Sequence, residues 1–234
     1  MNETEKEEYR QYLESRRSSR KINYYLASLA EIEEIRQKFS DRRPRMLLHA
    51  CCAVCAGWPL EFLSEVFDIT IYYNNSNIWP EAEYTRRLEE LRKLLREAWG
   101  SRISLIVPPY DNKRYTKEIL SSRSDDPEGW KRCFHCYETR MDEAYAYASA
   151  NGYDFFTTVM TISRQKDSQK MNEIGRKLSE KYPDVAYFYS DFKKKGGQNR
   201  RDEIVKEYGL YAQDYCGCVY SYISRHPDAE TIAQ

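Results

Sequence analysis

The sequence has no excess of charge of either sign and no long apolar run. Lys and Arg together number 37, as do Asp and Glu, so the formal net charge is zero. A balanced chain has no general basic field that draws nucleic acid, so such contacts must come from local patches. No apolar stretch reaches membrane length, and the first 21 residues contain no apolar core of a signal peptide. We therefore expect a cytoplasmic protein without membrane contacts.

Nucleotide-binding glycine motifs are also missing. Neither a P-loop nor a pyrophosphate loop rich in Ser and Gly follows the first predicted strand, which argues against ATP. Cysteines occupy that place instead, because residues 49–57 read HACCAVCAG. The chain has seven cysteines, an odd number that disfavours a closed disulfide framework. Disulfides rarely persist in a reducing compartment, so the thiols are better interpreted as metal ligands, catalytic groups or buried small side chains.

From residue 45 onward, short apolar runs alternate with longer amphipathic stretches. Runs rich in β-branched and aromatic residues predict strands at 45–50, 68–75, 102–110, 154–160 and 185–191. The stretches between them have helical spacing of apolar residues. This alternation predicts an α/β domain over 45–234, with a mainly parallel, Rossmann-like sheet and helices on both faces. Residues 1–44 are predicted to be a helical N-terminal extension packed on that domain, because apolar residues recur at helical spacing from Ile22 to Ile35.

The seven cysteines fall into three groups, each at a predicted loop or helix start. In chain order the groups are Cys51, Cys52 and Cys55; Cys133 and Cys136; and Cys216 and Cys218. The first group follows the first strand, at the carboxyl edge where open α/β sheets bind ligands. The second opens a predicted helix, whose N-terminus stabilises the thiolate that ligates metal. Gly217 separates the third pair and permits a tight turn.

The number of thiols bears on which metal they would hold. A structural zinc site is closed by four thiolates and leaves three sulfurs over. A four-thiolate iron–sulfur cluster and a second iron with three ligands use all seven. The adjacent pair Cys51 and Cys52 also suits a polynuclear centre, because each sulfur can bind a different iron atom. His135 lies between two cysteines but points elsewhere, and we do not expect it to be a ligand.

Five segments follow one another within residues 45–224: LLHACCAVC, NNSNIWPEAEYTRRLEEL, CFHCYETRMDEAYAYASANGYDFFTTVMTISRQKD, DFKKKGG and YCGCVYS. In their order and compatible spacing they resemble the QueH-type epoxyqueuosine reductases. The resemblance implies an oxidoreductase that completes queuosine in tRNA. Epoxyqueuosine at the wobble position of the anticodon would take two electrons and two protons and lose its epoxide oxygen as water. An electron donor is implied as a further partner.

The resemblance also implies a [4Fe-4S] cluster beside a mononuclear iron, and it assigns ligands to both. The cluster ligands would be Cys51, Cys52, Cys133 and Cys136, and the ligands of the catalytic iron would be Cys55, Cys216 and Cys218. An iron with three protein ligands keeps a position open, where it can act on the epoxide oxygen as a Lewis acid. Tyr215 and Asp214, beside the C-x-C turn, are candidate proton donors by position.

Polar and basic side chains near the predicted strand ends are candidates for holding the RNA. RNA enzymes usually act on unpaired bases and hold them by phosphate contacts and stacking. The predicted substrate-binding residues are Asn77, Thr158, Ser163, Arg164, Lys166, Lys194 and Lys195. Two basic segments are candidates for phosphate contact, one with Lys193, Arg200 and Arg201 and one with Arg16, Arg17, Arg20 and Lys21.

Three other functions compete with the reductase. A zinc-stabilised RNA-binding module would use the same thiols without redox activity, and its protein would be colourless. A tRNA thiolation-type enzyme would also place cysteines near a parallel sheet, but the missing nucleotide loop argues against it. A thiol–disulfide oxidoreductase would need only Cys133 and Cys136.

Overall fold

The computed structural model describes residues 1–17 and 21–226. The helices and strands follow one another in the order α1 Glu3–Ser15, α2 Tyr24–Lys38, β1 Arg45–His49, α3 Ala53–Leu63, β2 Asp68–Tyr72, α4 Glu81–Ala98, β3 Ser104–Ile106, α5 Asn112–Tyr115, α6 Lys131–Ala150, β4 Phe155–Thr158, α7 Ser168–Lys181, β5 Ala186–Tyr187, α8 Gly197–Glu207 and α9 Val219–Arg225. A π-helical turn, Thr116–Leu120, and a 3-10 turn, Ser121–Arg123, continue α5, and a second 3-10 turn, Val159–Ile162, follows β4.

The strands form one parallel sheet with the order β3-β2-β1-β4-β5. The central strand β1 pairs with both neighbours, so that Met46 lies opposite Ile69 on one side and Phe155 on the other. Met46, Leu47 and Leu48 are fully buried, as expected of a parallel strand covered on both faces. The predicted Rossmann-like α/β fold is confirmed.

The two edge strands are shorter than their apolar runs predicted. β3 covers only Ser104–Ile106, and Pro108 and Pro109 follow closely. Proline has no N–H to donate to a neighbouring strand, so it ends the pairing there. β5 covers only Ala186–Tyr187. Each edge strand has a single neighbour, so the sequence overestimated how far its pairing extends.

The direction of the crossovers places helices on both faces of the sheet. β1-α3-β2 and β2-α4-β3 move toward one edge, whereas the connections through α6 to β4 and through α7 to β5 move the other way. Because such crossovers are right-handed, α3 and α4 cover one face and α6 and α7 the other. α3 also packs against α8, and α6 against α7. The strand order reverses between β1 and β4, which is where doubly wound sheets bind ligands.

The N-terminal extension contains two helices where the sequence indicated one. α2 buries Ile32 and Ile35 against the core. α1 buries no residue completely, so its sequence has no apolar periodicity that would predict a helix. It begins with a capping box between Asn2 and Glu5, and Tyr12 packs on Trp130 with ring centroids 5.0 Å apart. Among the residues described, no helix is long and apolar enough to cross a membrane.

Candidate metal centre

The first thiol group lies at the junction between β1 and α3. Cys51 follows the strand, Cys52 is the N-cap of α3, and Cys55 lies in its first turn. The three sulfurs lie within 4.8 Å of one another, and those of Cys51 and Cys52 are 3.9 Å apart. All three residues are buried. Adjacent cysteines therefore turn to the same side once the chain has left the strand.

Hydrogen bonds among these sulfurs concentrate negative charge on one of them. Bonds from Cys52 and Cys55 hold the pKa of the Cys51 thiol well below its usual range, with help from Lys166 and Arg140. The hydrogen bond with Cys51, together with burial, raises the pKa of the Cys52 thiol to about 12. Hydrogen bonds with Cys51 and Cys52, together with burial, also raise the pKa of the Cys55 thiol. A metal that takes all three as thiolates must therefore displace protons, so its affinity will fall in acid.

The second and third groups face each other across a tight cavity. Cys133 and Cys136 lie in the first two turns of α6, as predicted, and Cys216 and Cys218 line the same cavity of about 10 Å³. Gly217 between them has a φ of +134°, a value that side chains with a Cβ rarely adopt. Burial, followed by the proximity of Cys216, raises the pKa of the Cys133 thiol to about 11.

Cys216 lines this enclosed cavity and also a second, open cavity. A cavity of about 230 Å³ at the carboxyl edge of the sheet is lined by Cys51, Cys55 and Cys216. We call it the sulfur cavity. Cys218, Cys133 and Cys136 line the enclosed cavity and not the sulfur cavity. The structure thus brings the predicted cysteine groups together and separates thiols that face an open space from thiols that do not.

Cationic side chains lie near the sulfurs: Arg87 and Arg140 are buried, and Lys166 is half-buried. The Arg140 side chain is 2% exposed and donates to Asn75 Oδ1 at 3.1 Å. Burial opposes its charge and that of Lys166, but nearby thiolates raise both pKa values above their ordinary ranges. Arg87 is 1% exposed and donates to the carbonyl oxygens of Cys216 and Tyr215 at 3.0 and 3.2 Å. These cations stabilise thiolates and fix the C-x-C loop.

The two candidate proton donors differ in their surroundings. Both Tyr215 and Asp214 line the sulfur cavity. The Tyr215 hydroxyl donates to the carbonyl oxygen of Trp79 at 2.6 Å, and burial raises its pKa. The Asp214 carboxylate is 67% exposed and lies 3.4 Å from His226 Nε2. Of these two candidates, Asp214 is the one whose side chain is open to solvent.

The predicted substrate-binding residues separate by location. Ser163, Arg164 and Lys166 line the sulfur cavity. Asn77 is 1% exposed and lines the enclosed cavity. Thr158 is fully buried beneath the site, where its Oγ1 lies 2.8 Å from His49 Nδ1. Burial lowers the pKa of His49 to about 3, so that ring is neutral.

The basic segments also divide by location. Lys193, Lys194 and Lys195 line a separate cavity with Arg16 and Lys21. Arg200 is held by three carboxylates, those of Glu61, Glu203 and Glu207, whereas Arg201 lines the sulfur cavity. Arg17 is exposed, and Arg20 lies outside the described residues.

Sequence reasoning missed several residues that support the sulfurs. Gln213 donates to Cys52 Sγ at 3.0 Å, but no pattern marks a glutamine in a loop. Arg140 had a detectable signal, because it lies one helical turn beyond Cys136 on the buried face of α6. Arg87 likewise lies among the apolar positions of α4. A charged residue on an apolar helix face needs a buried partner, and here the partners belong to the site.

The fold and the site define an α/β protein with a buried, thiol-lined candidate metal centre at the switch point of a parallel sheet. The sequence profile of a family described as Epoxyqueuosine reductase QueH matches residues 46–224. The chain therefore belongs to the QueH family of epoxyqueuosine reductases, which are oxidoreductases of queuosine biosynthesis.

Individual relatives agree with the family profile. An epoxyqueuosine reductase QueH of Staphylococcus aureus strain Mu50 is 38% identical over 194 residues, which cover 81% of this chain and 80% of the relative. That of Histophilus somni is 40% identical over 178 residues, or 76% of this chain and 72% of the relative. That of Thermotoga maritima is 30% identical over 202 residues, or 81% and 96%.

Proposed function

We propose that this chain reduces epoxyqueuosine to queuosine at the wobble position of tRNA in the cytoplasm. Both C–O bonds of the epoxide break and a C=C bond forms. Two electrons come from a donor partner, and two protons convert the departing oxygen to water. The observation that carries the proposal is the convergence of seven thiols from three segments of a QueH-family chain on one edge of the sheet. Seven is three more than a zinc site needs.

The donor set fits a [4Fe-4S] cluster with a neighbouring mononuclear iron. Cys51, Cys55 and Cys216 line the open sulfur cavity, and we assign the iron to them because an open position must face the substrate. The remaining thiols for the cluster are then Cys52, Cys133, Cys136 and Cys218. This division exchanges Cys51 and Cys218 relative to the one that the family resemblance implied. Its support is that Cys218 lines the enclosed cavity and not the sulfur cavity.

When bound, these groups supply single electrons and a Lewis acid for the epoxide oxygen. The protein contributes the rest. The sulfur cavity admits the nucleoside, and Ser163 and Arg164 on its wall offer hydrogen bonds to it. The enclosed cavity, at about 10 Å³, has no room for a nucleoside.

Two charged residues have separate tasks in this proposal. Thiolates raise the pKa of Lys166 although burial opposes it, so its ammonium keeps its proton and stabilises negative charge on the departing oxygen. Asp214 lines the sulfur cavity with an exposed carboxyl group, and we assign it the role of proton donor. Tyr215 remains a predicted donor, although its hydroxyl already donates to Trp79.

Cys216→Ser tests the proposal. We expect the anaerobically purified variant to keep most of the visible absorbance of the cluster and to lose reduction of epoxyqueuosine in tRNA. Loss of absorbance and turnover together would contradict the division between cluster and catalytic iron. Wild-type protein that binds stoichiometric zinc, contains no sulfide and reduces no epoxyqueuosine would overturn the function itself.

A further inference from the structure

A second large cavity lies between the N-terminal extension and the core. Its volume is about 540 Å³, and its lining includes seven basic and two acidic residues. We call it the basic cavity. Its basic residues are Arg16, Lys21, Arg164, Lys166, Lys193, Lys194 and Lys195. In a chain whose net charge is zero, such a concentration of positive charge in one concave place marks an anion site.

The two carboxylates in the basic cavity already have partners. Asp191 pairs with Lys193 at 2.9 Å and accepts from the Ser168 hydroxyl at 2.9 Å. Asp167 lies 3.8 Å from the Arg16 guanidinium. No ion pair joins Lys194 or Lys195 to a carboxylate within the described part of the chain, and both side chains are exposed. Their ammonium groups are therefore available to an anion from outside.

The basic cavity adjoins the sulfur cavity. Arg164 and Lys166 line both of them. Helix α7 begins at Ser168 in the wall of the basic cavity, where the Asp167 carboxylate caps it by accepting from the Gln169 N–H. A nucleoside in the sulfur cavity would thus have its own phosphate, or a neighbouring one, within reach of the lysines.

We propose that the basic cavity binds backbone phosphates of RNA beside the nucleotide held at the sulfurs, and that the N-terminal extension forms one of its walls. The identity of the RNA rests on the proposed function. Arg16, Lys21, Asn23 and Tyr25 line the cavity but precede residue 46, where the family match begins. The extension therefore adds RNA contacts to the matched catalytic region.

Binding at several salt concentrations tests this inference without any turnover. The holoprotein, purified without oxygen, would be titrated with a fluorescent, unmodified anticodon stem–loop RNA over a range of KCl concentrations. One double variant, Arg16→Ala with Lys21→Ala, removes charge from the extension. Another, Lys194→Ala with Lys195→Ala, removes it from the core. The matched control, Arg96→Ala with Lys206→Ala, removes two exposed charges from the last turns of α4 and α8.

We expect each cavity variant to weaken RNA binding roughly tenfold at low salt and to reduce the slope of log K against log[KCl] by about 1 to 2. The control should leave affinity and slope at wild-type values. Equal losses in all three variants would overturn the inference, because general charge would then explain the binding. Loss in the core variant alone would overturn the role of the extension. Binding of inorganic phosphate with no effect of either cavity variant on RNA would identify a small-anion site and also overturn it.

A reduction assay on the same wild-type preparation separates this inference from the proposed function. Wild-type protein that shows the expected salt slopes but does not reduce epoxyqueuosine in tRNA would support the phosphate site and contradict the reductase.

Discussion

The side-chain amide of Gln213 donates to the sulfur of Cys52 across 3.0 Å. The contact joins the loop before the third cysteine group to the first group, 161 residues earlier in the chain. Hydrogen bonds to a ligating sulfur stabilise its thiolate and orient it toward the metal.

Gln213→Ala should therefore weaken metal retention. We expect roughly 10-fold faster loss of iron to a chelator, in the range found for residues that orient metal ligands. Iron per chain would be measured after timed exposure to the chelator. Gln37→Ala, at an exposed position of α2, serves as the control. Equal iron loss from both variants and wild type would show that the amide contact has no part in holding the metal.

Cys51→Ser and Cys218→Ser distinguish the two divisions of the thiols. Because Cys51 faces the sulfur cavity and Cys218 the enclosed cavity, we expect Cys51→Ser to keep its acid-labile sulfide and lose about one iron. Cys218→Ser should lose most of its sulfide. Paired iron and sulfide assays on the two variants measure this. The opposite pattern would support the division implied by the family resemblance.

Arg87→Met should destabilise the fold around the C-x-C turn. Arg87 pairs with Glu83 at 2.7 Å and is almost fully buried, so its removal leaves the Glu83 carboxylate without a cation and the carbonyl oxygens of Cys216 and Tyr215 without this donor. We expect a loss of about 3 kcal/mol in the free energy of unfolding, measured by urea denaturation of metal-free protein. The double variant with Glu83→Gln should recover part of that loss. No recovery would mean that the buried charge of Glu83 is not the cause.

Glu31 makes stability depend on pH. Burial is the main cause that raises its carboxyl pKa from 4.5 to about 7, against a backbone N–H bond from Tyr189 that lowers it. Ionisation is then harder in the folded than in the unfolded chain, so stability falls as pH rises from about 4.5 through 7.

Glu31→Gln should remove this dependence. The variant should match wild type near pH 4.5 and exceed it by about 2 kcal/mol at pH 8, less than the full pKa difference because the carboxyl is only partly shielded from water. Urea unfolding at the two pH values measures the difference. An equal gap at both pH values would attribute the effect to packing and not to ionisation.

The sheet and the proximity of the cysteine groups could be predicted from the sequence, because the signals for both lie in short, continuous segments. β1 is a continuous apolar run, and Cys51 and Cys52 follow it directly. α1 and α8 were not predicted, because α1 buries nothing completely and α8 buries only Gly197 and Ile204. Helices that bury so few residues have no apolar period to detect.

The sequence could not predict which thiols face which cavity. That depends on how the loop around Gly217 is held by Arg87, which lies 129 positions before Cys216. The location of Thr158 depends in the same way on His49, with which its hydroxyl shares a hydrogen bond beneath the site. Such contacts between distant segments leave no periodic pattern in either segment.

Metal analysis of protein purified without oxygen tests the central claim most directly. Iron, zinc and acid-labile sulfide would be quantified per chain, together with the visible absorbance spectrum. A cluster and one further iron predict brown protein with about five irons and four sulfides per chain. Colourless protein with stoichiometric zinc and no sulfide, unchanged after anaerobic cluster reconstitution, would contradict the redox function.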